Sequence, residues 1–457
     1  MNQEFEFQKF IDHFSASLKI KTDWPVGAKK GDSAAEKPLV DFQNFLVKTY
    51  PAFHKCAERT AFSPYSVAYR WPGEGSAGKS GGSAPVLFLA HYDVVPAETA
   101  KWSFDPFGAE LKGNYIYGRG ALDMKHILMS LLESAETLCR QGFKPKRDIW
   151  IALGGDEEMT GVLGAKETAA WFAEKGIQFS FIVDEGTPVA KDQIKGINKP
   201  LVLMGIEEKG FVSLDLSVEQ KPGHASQPPD EQAVAILSRA LLRLSKRPFP
   251  WRLTPTVEAF FKQLSVHSSG ITAFVMKHSR MLGPLFFKAA AANPAIKALL
   301  RTTVAMTQLE GSAADNVLPS TAKAVINLRL LPPWTVTTAI ERIKTIIADE
   351  RVNVTVHGFA SDPVRSGPGA EAGNSPGWKE INGAINQTFP GAPVLPFLML
   401  ATTDSRHFQD LSKYIFRFNP LILDPQELSR IHGHDERISL ENLDHCLRFY
   451  TKLLEQL

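Results

Sequence analysis

The sequence predicts an α/β fold: a mainly parallel sheet covered by helices, with a smaller α+β domain inserted into it. Three observations carry this expectation. Short runs apolar on both faces, PVLFLAHYD (85–93), DIWIALGGDEE (148–158) and FSFIVDEG (179–186), each end in polar residues, as strands of a covered parallel sheet do. Between the first two, Met124, Ile127, Leu128, Leu131, Leu132, Ala135 and Leu138 recur at helical spacing and complete a strand–helix–strand rhythm. From about Lys209 the pattern becomes alternating, in GFVSLDLSVEQ and TAKAVINLRLL, as in half-solvated strands of an open sheet.

Along the chain, 457 residues suffice for two domains, each with its own core. A first helix is expected where Phe7, Phe10, Ile11, Phe14 and Leu18 share one face. No basic segment leads into an apolar core there, so no secretory signal is expected. No apolar run approaches the roughly 18 residues of a membrane span, and the expected location is the cytoplasm. Cys56, Cys139 and Cys446 fit neither a CxxC site nor a disulfide framework and read as reduced thiols. Lys plus Arg total 51 against 49 Asp plus Glu, and the net charge of +2 leaves no electrostatic footprint for nucleic acid.

After the alternating strands, TVTTAIERIKTIIADE reads as a helix and RVNVTVHGF as a strand. The interval 254–303 is apolar and basic, and reads as extra helices packed on the second domain rather than as a membrane-contacting surface. Past SDPVRSGPGAEAGNSPG, a loop by composition, the α/β pattern resumes. The expected division is an outer domain of 1–208 and 361–457 around an insert of 209–360.

One stretch offers two competing chemistries. GEGSAGKS (73–80) fits G-x-x-x-x-G-K-[ST], the phosphate-cradling P-loop, and GKSGG (78–82) fits G-x-S-x-G, the serine nucleophile elbow. Both need a strand before and a helix after. Here Ser80 is followed by GGSAP and then a strand, and two glycines with a proline forbid that helix. SVAYRW (66–71) and VLFLAHYD (86–93) read instead as neighbouring strands joined by a loop. FIVDE resembles the apolar run and Asp of a Walker B element, yet the missing helix outweighs it. A P-loop NTPase at Gly73 to Ser80 and a serine hydrolase at Ser80 are both set aside.

The strand ends carry metal-ligand chemistry instead. In HYDVVP, His91 and Asp93 sit two apart, on one side of an extended chain. In GRGALDMKH, Asp123 stands where a helix begins. GGDEE places Glu157 and Glu158 side by side, IVDEG places Asp184 at a third strand end, and IHGHDER offers His432 and His434. Taken singly, each is an ordinary cap, turn or loop residue. Together they end strands or open a helix in one domain, and open α/β sheets bind ligands at the carboxyl ends of their strands. Carboxylates gathered in one cleft repel, and cations relieve that. Imidazole with carboxylate suits zinc, manganese or cobalt, held in pairs ~3.5–4 Å apart in two-metal hydrolases.

These residues, in this order, resemble the two-zinc metallopeptidase family of carboxypeptidase S, aminoacylase, carnosinase and succinyl-diaminopimelate desuccinylase. The resemblance runs from about His91 to Glu436. It implies that His91 and Asp184 bind one Zn2+, that Glu158 and His432 bind the other, and that Asp123 bridges them; Co2+ or Mn2+ would substitute. Asp93 would orient His91, and Glu157 would be the general base. The family's histidine lies three before the Asp-Glu pair, which selects His432 over His434.

In the insert, KPGHASQPP resembles the family's oxyanion-stabilising segment, which implies His224 in that role and a homodimer. DNVLPSTAKAVINLRLLP likewise implies Asn316 as an oxyanion donor and Arg329 as a carboxylate anchor. TTDSRHF resembles a substrate-carboxylate loop with Arg406, although Ala401 and Thr402 stand where the family has glycines. The long insertion resembles the enlarged lid of the carboxypeptidase S branch, which includes hydrolases of N-fatty-acyl amino acids. Its Phe260, Phe261, Phe274, Leu285, Phe286 and Phe287 would line an acyl pocket or form lid core, and core is the simpler expectation. The implied substrate is a small peptide or an N-acyl amino acid. A non-catalytic relative is disfavoured because the DEE run is intact.

Overall fold

Strands come first because the longest apolar runs are strands. The computed structural model describes residues 3–24, 30–74, 83–193, 197, 199–367 and 373–457. Val86–His91 and Ile149–Gly154 bury all six of their residues, and Phe181–Ala190 buries most of its ten. These three pair in parallel, with Val86–His91 between the others, and Ile415–Leu423 joins parallel to Phe181–Ala190. The sheet is completed by an antiparallel pair, Glu58–Ser63 and Ser66–Trp71, at one side and at the other by Val202–Glu208, which also pairs with Val364–Arg365 and Val394–Met399. Helix Lys125–Arg140 buries fourteen of its sixteen residues and packs against helices Leu440–Leu454 and Gln3–Leu18.

One expectation about strand order is corrected. Ser66–Trp71 and Val86–His91 are not neighbours: Ile149–Gly154 lies between them, antiparallel to the first and parallel to the second. Chain order does not set sheet order once a helix crossover intervenes. The glycine-rich stretch between these strands, with Lys79 and Ser80, falls outside the described residues. On either side of it, Glu74 and residues 83–85 form no helix.

The chain divides into two compact units, Met1–Ile206 with Ser366–Phe397 and Thr403–Leu457, and Glu207–Arg365 with Leu398–Thr402. The strip Leu398–Thr402 thus groups with the insert, which the sequence did not indicate. In the second unit an antiparallel sheet runs in the order Thr303–Glu310, Thr321–Leu330, Gly210–Glu219, Asn353–Ser361. Gly210–Glu219 alternates buried and half-buried residues, and helices Ala233–Lys246 and Val336–Ile347 cover its apolar face. The interval 254–303 forms four short helices, Pro255–Ser265, Gly270–Lys277, Gly283–Ala290 and Pro294–Leu299. Its large apolar residues divide: Phe260, Phe261 and Phe286 are core, Phe287 is half-buried, and Phe274 and Leu285 are exposed.

Candidate active site

His91 closes the strand Val86–His91, and the chain then turns so that Asp93 lies beside it. His91 Nδ1 is 3.0 Å from the Asp93 carbonyl oxygen and 3.3 Å from Asp93 Oδ1, which leaves Nε2 pointing away. Both oxygens of the wholly buried Asp93 also accept backbone N–H groups, from Glu157 at 3.1 Å and Glu158 at 3.0 Å. One carboxylate therefore fixes both the histidine ring and the turn carrying the two glutamates. That turn, Glu157–Met159, follows the glycines of GGDEE. A Cβ at Gly155 would lie 2.6 Å from the Tyr92 ring, so only glycine lets the strand end pass.

Asp123 precedes the helix Lys125–Arg140 and faces two ways. Its Oδ1 is 3.1 Å from His91 Nε2, and its Oδ2 is 3.0 Å from His432 Nε2. Glu158 Oε1 is 3.2 Å from His432 Nε2. Two groups of ligand atoms result, each within 4.8 Å: His91, Glu157 and Glu185 in one, Asp123, Glu158 and His432 in the other. Glu157 and Glu158 share a turn yet join different groups. His434 joins neither.

The third expected strand end needs a correction, since Asp184 and Glu185 lie inside the strand Phe181–Ala190. Asp184 does not join these groups: its oxygens accept the backbone N–H of Glu185 at 2.8 Å and of Ser405 at 2.9 Å. Glu185 takes the place instead, with Oε1 3.5 Å from His91 Nε2. Neighbouring residues of a strand face opposite ways, so only one of this acidic pair can reach His91.

Two further residues hold the constellation together. Glu436 is fully buried; its Oε1 accepts the backbone N–H of Leu122 at 2.6 Å and of Asp123 at 3.3 Å. Its Oε2 lies 2.5 Å from Arg119 Nη1, and Arg119 Nη2 donates to the carbonyls of His432 at 3.4 Å and Gly433 at 3.1 Å. One buried ion pair thus ties the Asp123 turn to the His432 loop. Both residues stand in quoted motifs, but nothing local in the letters reveals a partner 317 positions away.

The electrostatics are those of crowded, buried acids. Burial foremost, and then the charges of Glu185, Asp404 and Glu158, push Glu157 well above the usual carboxylate range against the pull of His91. Burial and then Asp123 push Glu185 up to about 8, and the same two causes raise Glu158. Asp123 goes the other way: burial would raise it, but hydrogen bonds to His432 and His91 hold it below its ordinary value. Its partner His432 is pushed up to about 10 by the hydrogen bonds to Asp123 and Glu158. A set of four carboxylates and two imidazoles in which three glutamates and His432 retain protons this strongly fits divalent cations, which would take the place of those protons.

The remaining expected site residues are dispersed. Arg406, buried in the first unit, has Nη1 3.9 Å from Glu157 Oε1. In the second unit His224 is exposed and its Nδ1 lies 2.8 Å from Ser226 Oγ. The short strand Gly223–His224 pairs with Val317–Leu318, and Asn316 accepts the N–H of Ala225 through its carbonyl, so His224 and Asn316 are neighbours there. Arg329, also in the second unit, stacks its guanidinium 4.8 Å from the Phe211 ring centre.

Comparison with known proteins gives a consistent picture. A model of Peptidase family M20/M25/M40 matches residues 87–456. The N-fatty-acyl-amino acid synthase/hydrolase PM20D1 of Xenopus tropicalis is 34% identical over 455 residues, which cover 99% of this chain and 86% of that protein. Probable carboxypeptidase S-like 2 of Dictyostelium discoideum is 34% identical over 423 residues, 92% of this chain and 80% of its own length. Among solved structures, the M20 family metallo-carboxypeptidase Sso-CP2 from Sulfolobus solfataricus aligns with a TM-score of 0.71 at 18% identity, over 100% of this chain and 99% of that one. Human carnosine dipeptidase 1 aligns with a TM-score of 0.67 at 15% identity, over 99% and 97%.

Proposed function

The chain belongs to peptidase family M20/M25/M40 and is a hydrolase of that metal-dependent family, and on that premise we propose that it cleaves an amide bond beside a free carboxylate. It acts as a carboxypeptidase, a dipeptidase or an N-acyl-amino-acid amidohydrolase. The names of its relatives, N-fatty-acyl-amino acid synthase/hydrolase and carboxypeptidase S-like, support an N-acyl amino acid or a small peptide as substrate.

The observation that carries this reading is Asp123, one carboxylate with an oxygen on each of two histidines. His91 and Glu185 would hold one divalent cation, Glu158 and His432 a second, and Asp123 both. Zinc is the expected ion, with cobalt or manganese as substitutes. When bound, the cations supply Lewis-acid polarisation of the scissile carbonyl and offset the clustered negative charge.

The chain's own groups do the rest. Asp93 keeps the Nδ1 side of His91 occupied, so the ring presents Nε2 to the cluster. Glu157 takes a proton from the attacking water and delivers it to the leaving nitrogen, and its raised proton affinity suits a group that must hold that proton in between. Arg406, beside Glu157, and Arg329 are the carboxylate anchors in this reading; His224 and Asn316 are the oxyanion donors. The exposed edge strand Thr303–Glu310 supports a homodimer, and three free thiols support a cytoplasmic, reducing location.

The test is a panel of N-acyl amino acids and dipeptides, assayed with zinc, cobalt and manganese. Glu157→Gln should lower kcat by about two to four orders of magnitude while metal content per chain stays unchanged. Wild-type turnover of any panel member by that variant would refute the assignment.

A further inference from the structure

Large apolar side chains at a protein surface are ordinary when scattered singly. Here they are not scattered. Of the fifteen that stand exposed among the described residues, five fall in 266–285: Val266, Ile271, Phe274, Met281 and Leu285. Their exposures of 78%, 82%, 51%, 71% and 57% are those of protruding groups. The helix Gly270–Lys277 reads GITAFVMK, yet it buries none of its residues. Ile271 and Phe274 lie three apart on it and so share a face. The core beneath is supplied by other residues, Phe260, Phe261, Leu264 and Phe286.

The charges of this segment are one-sided. Lys262, Lys277, Arg280, Lys288 and Lys297 are all exposed. The only acidic residue in 254–303 is Glu258, which is part-buried and pairs with Arg280 at 3.5 Å. The chain as a whole carries a net charge of only +2, so this basic surplus is local. Protruding aliphatic and aromatic groups interleaved with lysines are the composition of a helix that lies in a lipid–water interface.

We propose that this face of the second unit docks the protein on an anionic lipid surface, its apolar side chains entering the headgroup region and its lysines meeting the lipid phosphates. No described helix is long and apolar enough to cross a membrane, so the contact is peripheral. A second copy of the chain fits this face less well. A two-fold contact would set the same lysines against one another with Glu258, already paired with Arg280, as the one acidic residue of the segment. The proposal does not depend on the reading of the active site.

The experiment is flotation of the purified full chain with vesicles of equal parts phosphatidylglycerol and phosphatidylcholine, and with phosphatidylcholine alone. Binding should favour the anionic vesicles and weaken as salt is raised. Lys277→Gln and Lys288→Gln should each lower partitioning by about fivefold. Ile271→Ser, Phe274→Ser and Met281→Ser combined should abolish it, with the circular dichroism melt and the turnover of a water-soluble substrate unchanged. Equal recovery of wild type and the triple variant with anionic vesicles would overturn the proposal. So would a self-association lost in the triple variant without any vesicle binding, since that would assign the face to a second copy.

Discussion

The two groups of ligand atoms are built by different means. The group of His91, Glu157 and Glu185 takes two of its three members from the sheet: His91, its side chain 2% exposed, closes a buried strand, Glu185 lies on the parallel neighbour, and Glu157 comes from the turn Glu157–Met159. The group of Asp123, Glu158 and His432 is set by loops, and the His432 side chain is 49% exposed. His432 also has φ +60, in the left-handed region that a β-carbon disfavours. That conformation persists only because its surroundings over-determine it, and Arg119 gripping the carbonyls of His432 and Gly433 is what does so. A position fixed by strand pairing is insulated from the loss of one contact. A position fixed by a single ion pair is not.

The largest expected effect breaks that ion pair. Arg119→Met leaves the Glu436 carboxylate buried without its guanidinium, at about 3–5 kcal/mol, and should release the cation proposed at Asp123, Glu158 and His432, the outer one, while the inner one, proposed at His91 and Glu185, stays. Thermal melts and metal content per chain, measured after dialysis, would read both effects. Loss of both cations together would show that the two groups are one mechanical unit. Adding Glu436→Met to the same chain should recover most of the stability, because the uncompensated charge is gone.

A smaller effect separates the neighbouring acids Asp184 and Glu185. Glu185→Gln removes a proposed ligand, whereas Asp184→Asn disturbs only a carboxylate that accepts backbone N–H groups. Competition against a chromogenic chelator should show Asp184→Asn weakening the inner cation by no more than about 10–100-fold, the cost of a supporting residue. Glu185→Gln should exceed that. The reverse ranking would restore Asp184 as the ligand.

The smallest effect is on pH dependence, and it separates the groups by window. In the metal-free chain Glu185 is pushed from 4.5 up to about 8. The folded state then holds a proton that the unfolded chain has released, so stability falls as pH rises between those values. His432, raised from 6.5 to about 10, contributes stability that is complete below the lower value and lost as pH rises through the upper. Both signs agree: the metal-free Tm should decline with rising pH, and saturating zinc should flatten the decline. Glu185→Gln should remove the lower part of the slope and His432→Asn the upper. A metal-free Tm indifferent to pH would contradict the account.

Much of this was open to reading in one dimension. His91, Glu157 and Glu158 stand out because apolar runs end beside them, Asp123 because a helix opens there, and His432 over His434 only through the family resemblance; the structure brings all five together. Asp184 against Glu185 was not readable, because two acids in succession on a strand differ only in the face they take, and backbone pairing decides the face. The interposed strand Ile149–Gly154 was not readable either, since sheet order is a matter of long-range pairing. The lid segment shows the same divide. Its apolar, basic composition was plain, but which phenylalanines it buries was not: Phe261 is core and Phe274 stands in solvent.

What the amino-acid order settled unaided was the kind and place of the main strands and of the helices with a clear apolar stripe, and the residue types that follow the apolar runs. Those follow from periodicity and side-chain chemistry, which act over a few residues. The tertiary structure alone decided which acid of a pair turns inward, that Arg119 meets Glu436 across most of the chain, and which apolar helix is left uncovered. Each is a contact between distant segments, and its energy exists only once the chain has closed on itself.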